Sequence, residues 1–288
     1  MAALKLIESA TVSKDFRLFS RVLRIMNSVR KRMNMEVFSM FVDAFANQSK
    51  ICKELLPQLD REMKGEDSEG KPLEQPKIPD SVRKFCLPEV ELMLATIAVT
   101  CFIDAGQVPK AFTTIKQLIT RVNSLNRRSM DKLAANAYFY YARCVELTSG
   151  KLSDIRREML DAYRTACLHM NYPSQATLIN ILLRDYLSCN LVDQAFKFVS
   201  KTTFPESRSN AQYARYLYYV GRIKAIQLEY TEAHNTLTHA VRKAPANTCR
   251  GFRLAATKLS IIVELLTGEI PDRDLFNQVN LHVFSLIN

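Results

Sequence analysis

The side chains able to do chemistry are few and scattered. Four histidines occur, His169, His234, His239 and His282. His234 and His239 stand five apart, a spacing that does not share a helix face, and no H-E-x-x-H pattern surrounds them. They read as solvated or core histidines rather than metal ligands. The seven cysteines, Cys52, Cys86, Cys101, Cys144, Cys167, Cys189 and Cys249, are odd in number, widely spaced and free of any C-x-x-C pair. Most lie in apolar helical contexts such as "AVTCFIDAG", so buried, reduced thiols are expected. No nucleophile elbow, Walker-A loop or dinucleotide fingerprint occurs. The expectation is a protein with no catalytic residue, no metal and no cofactor.

The stretch 201–258 is different. It holds ten Lys or Arg against three Glu, in a chain whose formal charge is +11. Arg215, Arg222, Lys224, Arg242, Lys243, Arg250 and Arg253 are candidates for binding an acidic partner. Tyr213, Tyr216, Tyr218, Tyr219 and Phe252 are interleaved with them. Arginine with tyrosine can anchor an acidic polypeptide in a helical groove, or grip single-stranded RNA through phosphates and stacked bases. In a third reading the tyrosines pack between helices and the charges are simply solvated. Helical repeats that read nucleic acid repeat one reading position per unit, and none recurs here, which makes nucleic acid the least favoured.

The elements that carry these residues read as all-α. Seven glycines and ten prolines in 288 residues supply too little turn chemistry for an all-β or doubly wound fold. Residues 1–64 form an N-terminal helical segment. Within it Phe19, Leu23 and Met26 make an apolar stripe, with Arg17, Arg21 and Arg24 on another face. That amphipathic pattern also suits a membrane-surface helix or a presequence, but Glu8 and Asp15 argue against the latter. Residues 65–80, "GEDSEGKPLEQPKIPD", read as a linker. Residues 81–278 form a helical-repeat arm, with helices over approximately 87–105, 109–124, 129–149, 152–170, 173–189, 192–202, 208–228, 231–243 and 247–267, and a short one after Pro271. The apolar run 92–103 is too short to cross a bilayer and reads as a core helix. Residues 279–288 are an atypical tail.

Gly221 sits inside a helix pattern, where glycine costs ~1 kcal/mol against alanine, so close approach of another helix is expected there. The tetratricopeptide pattern places Leu217, Val220 and Gly221 on a first helix and Ala233, Leu237 and Pro245 on a second. Ala240 adds a small residue, and Lys224 occupies the place of an aromatic. Gly221, Ala233, Leu237, Ala240 and Pro245 are therefore read as repeat-packing positions. Echoes at Phe102/Ala111 and Tyr186/Ala195 have unequal spacing, as in degenerate repeats forming a solenoid of antiparallel helix pairs.

The wording of "YARYLYYVGRIKAIQLEYTEAHNTLTHAVRKAP", "KLSIIVELLTGEIPDR", "SRVLRIMNSVRKR" and "FYYARCVELTSGKLSDIRREMLDAYRTACL" resembles the family of the 26S proteasome non-ATPase regulatory subunit 3, over nearly all of residues 4–278. The resemblance implies a right-handed α-solenoid arm, normally followed by a winged-helix PCI module. It also implies a non-catalytic scaffold in the lid of the regulatory particle, serving degradation of ubiquitinated proteins in cytoplasm and nucleus. Other lid subunits are the implied partners, including a small, acidic, disordered one; a membrane is not expected. The segment "VNLHVFSLIN" reads as unlike the family's continuation, so the expectation is a chain without the PCI module. An RNA-binding helical-repeat protein is the alternative.

Overall fold

The computed structural model describes residues 2–13, 16–30, 38–39, 42–43, 87–125, 127–148, 150–205, 209–245 and 249–272. The expected 65–80 linker, the helix after Pro271 and the 279–288 tail lie outside these residues. Among the described residues the regular structure is helical throughout, with eleven α-helices and two short 3-10 turns. Contacts divide the chain into two units, Met1–Leu152 and Ser153–Asn288.

In the first unit, α1 (Ala2–Ser13) packs on α2 (Phe16–Arg30), and both touch α3 (Pro88–Asp104). Then α3 packs on α4 (Val108–Ser124), and both meet α5 (Asp131–Thr148). The apolar run of α3 is wrapped on all sides: Leu92, Ala95, Ala98, Val99 and Phe102 are fully buried, as expected for a helix apolar all round. Its N-terminal Glu89 and Glu91 are buried too. Ser129 Oγ donates to Glu89 at 2.5 Å, and Arg121 and Arg127 lie 3.5 and 3.7 Å from Glu91 and Glu89. On α2 the buried stripe is Phe19, Val22 and Met26, with Leu23 only half-buried, and Arg17, Arg21 and Arg24 face water. Arg30 closes this unit by donating to both carboxylate oxygens of Asp104, at 2.6 and 2.5 Å.

In the second unit, α6 (Arg156–Leu168) pairs with α7 (Tyr172–Ser188), which plays the buried role of α3. Asn171 caps α7 by accepting the Ser174 N–H at 3.1 Å. Next come α8 (Val192–Lys201), α9 (Asn210–Ile226), α10 (Tyr230–Lys243) and α11 (Arg250–Thr267). Asn180 of α7 donates to the carbonyl and side chain of Gln212, bridging α7 to α9.

One turn geometry recurs. Gly106, Met170, Asn190 and Leu228 adopt positive φ of 76°, 53°, 55° and 69°. After each, the next N–H donates to the carbonyl five residues back: Gln107 to Phe102, Asn171 to Ala166, Leu191 to Tyr186 and Glu229 to Lys224, at 2.8–3.0 Å. This ending satisfies orphan carbonyls and turns the chain back on itself. Five residues past the left-handed residue, Ala111, Ala195 and Ala233 are fully buried. Phe102, Ala166, Tyr186 and Lys224 thus hold equivalent places, and Lys224 stands where two of the other three turns carry an aromatic ring.

Candidate functional site

The residues singled out between 213 and 253 sit on α9, α10 and α11 or flank them. A Cβ built on Gly221 would lie 2.8 and 2.9 Å from Cγ and Cδ2 of Leu237 and 3.5 Å from the Ala233 carbonyl. The two helices approach there as closely as glycine permits. Ala233, Leu237 and Val263 form a buried core joining α10 to α11, with Tyr218, Ala225, Tyr230 and Leu259 packed around it. Ala240 is fully buried one turn on. The helix stops at Lys243, where Ala244 turns extended (ψ 137°) ahead of the exposed Pro245, the conformation a following proline imposes.

The Gly221–Leu237 contact and the Lys224–Glu232 ion pair fix the antiparallel register of α9 on α10. Arg215 lies six residues before Gly221, ~9 Å along the axis. This puts it level with Arg242 and Lys243 in the last turn of α10. Arg250 opens α11 at that same end, with Arg253 half-buried one turn further. Arg215, Arg242, Lys243 and Arg250 are all exposed. Lys224 belongs to the opposite end, with Glu229, Glu232 and the C-terminal Glu264, Glu269 and Asp272 of the α11 side, while Arg222, next to Gly221, is level with the middle of α10. The structure therefore separates the candidate residues other than Arg222 into a basic end and a mixed, acid-rich end. Lys224, paired with Glu232, contributes to packing between two helices.

The interleaved aromatics pack on one another. Phe204 stacks on Tyr216 with centroids 4.4 Å apart and on Tyr213 at 5.8 Å. Tyr218 meets Phe252 of α11 edge-on at 5.6 Å and lies 5.7 Å from Tyr219. All seven aromatic residues of the basic stretch are half-buried, so much of the surface that base stacking would use is already occupied.

Other reactive groups are dispersed. His234 is half-buried, its ring nitrogens 3.4 and 3.5 Å from the Ser260 and Thr238 hydroxyls, while His169 and His239 are exposed. His282 lies outside the described residues. Among the described residues no cluster of three or more His, Cys, Asp or Glu side chains is placed to hold a metal ion, and no helix is long and apolar enough to cross a membrane. Cys101 and Cys144 are buried, and burial pushes the Cys144 thiol up to about 11. The expectation of buried thiols fails at Cys189, which is exposed because it caps the C-terminus of α7 instead of lying on its inner face. Cys167 and Cys249 are half-buried; Cys52 and Cys86 lie outside the described residues.

Sequence reasoning missed two features here. Arg156 pairs with the buried Asp185 and lies 5.1 Å over the Tyr186 ring, across a separation with no local pattern. The outward face of α11 carries Ile262, Leu265 and Leu266, roughly half-exposed. Its signal was present in the 255, 258, 262, 265 spacing.

Comparison with known proteins places this architecture. Residues 2–283 match the family model described as "PSMD3-like, N-terminal TPR repeats", a match that takes in the first residues of the 279–288 tail. A Dictyostelium discoideum protein named 26S proteasome non-ATPase regulatory subunit 3 is 40% identical over 282 residues, covering 96% of this chain and 56% of that protein. A Drosophila melanogaster protein of the same name, qualified as probable, is 37% identical over 96% of this chain and 55% of its own length. A Schizosaccharomyces pombe protein named probable 26S proteasome regulatory subunit rpn3 is 37% identical over 94% and 54%. The chain spans about half the length of the curated relatives it matches. With its helix pairs, recurrent turns and small-residue crossings, the chain belongs to the PSMD3-like family of N-terminal TPR repeats.

Proposed function

We propose that the chain is a non-catalytic scaffold subunit of the 26S proteasome regulatory particle lid, supporting ATP-dependent degradation of ubiquitinated proteins through protein–protein contacts in cytoplasm and nucleus. The observation that carries this reading is the family match over residues 2–283. Stacked antiparallel helix pairs hold surfaces at fixed spacing, and that is what a scaffold needs. Its partners are other lid subunits, including a small acidic one that docks at the basic end formed by Arg215, Arg242, Lys243 and Arg250. Opposite charges there raise the encounter rate and fix orientation.

A titration separates this reading from RNA binding. Labelled acidic peptide and labelled mixed-sequence single-stranded RNA are each added to the full chain, to Arg242→Glu/Lys243→Glu and to Arg250→Glu. The scaffold reading expects saturable peptide binding, weakened by about tenfold in the variants, as for charge pairs at an interface. Tighter RNA binding with a steep salt slope, lost in the same variants, would move the assignment to an RNA-binding helical-repeat protein.

A further inference from the structure

We draw no further inference here: the strongest candidate, the exposed apolar tip of the α9–α10 turn formed by Ile226 and the left-handed Leu228, lies on a surface for which nothing among the described residues shows what covers it.

Discussion

Replacing Gly221 by alanine sets two physical terms against each other in one place. A helical glycine costs ~1 kcal/mol relative to alanine, so on an open surface the substitution stabilises. Here the new Cβ would stand 2.8 Å from Leu237 Cγ, closer than carbon atoms pack, and Leu237 is fully buried. Relief needs movement of a core side chain, and such overpacking costs ~1–3 kcal/mol. The net expectation is a loss of about 1 kcal/mol for Gly221→Ala. A bulkier Gly221→Leu should lose more. The sign should reverse once the obstacle is gone. In a Leu237→Ala background, itself destabilised by ~2–5 kcal/mol, Gly221→Ala should recover about 1 kcal/mol. The coupling between the two sites is then about 2 kcal/mol. Urea unfolding followed by circular dichroism measures it, with hydrogen exchange of the α9 and α10 amides as the local readout. Gly221→Ala stabilising the chain equally in both backgrounds would refute the close-packing account.

Three further outcomes follow from other parts of the structure. Leu228 holds φ 69° and is 69% exposed. A left-handed leucine is strained by ~1–2 kcal/mol, part of which glycine gives back as backbone entropy, so Leu228→Gly should raise the urea midpoint by about 0.5 kcal/mol equivalent. Arg156→Met leaves the Asp185 carboxylate buried without its cation and should cost ~3 kcal/mol; a change under ~0.5 kcal/mol in urea unfolding, the scale of a neutral surface substitution, would contradict the pairing. Hydrogen bonding from Arg30 lowers the Asp104 pKa below its ordinary 3.8. The folded value being depressed, the pair's contribution is complete above that pH and disappears as pH falls through the folded value. The stability gap between the native chain and Arg30→Gln should therefore be constant near neutrality and close in acid, and a gap unchanged in acid would count against this linkage.

Much of the helical framework was legible because its punctuation is local. Pro88, Pro109 and Pro173 fall in first turns, where a missing N–H costs nothing. The breaks at Ala105–Gly106 and Cys189–Asn190 carry residues that tolerate left-handed backbone. The turn at Leu228 carries no such residue, and its geometry follows from packing on both sides. The span read as a helix over 152–170 begins with a 3-10 turn, Leu152–Ile155, before the α-helix at Arg156. The charge map was less legible. Composition revealed a basic stretch over 201–258, whereas its division into two ends depends on the α9–α10 register, fixed by contacts at Gly221 and Lys224. The tyrosines could not be assigned from sequence, because Phe204, their stacking partner, lies in the connection before α9. Pairs such as Asn180–Gln212 join residues on different helices and leave no periodic trace.

The most direct test of the central claim is recovery of the tagged 288-residue chain from cells at near-physiological salt, with and without nuclease, and identification of co-purifying proteins by mass. The scaffold account predicts several proteasome lid subunits, in amounts indifferent to nuclease. Recovery without lid subunits, or with RNA-associated proteins that nuclease removes, would contradict it.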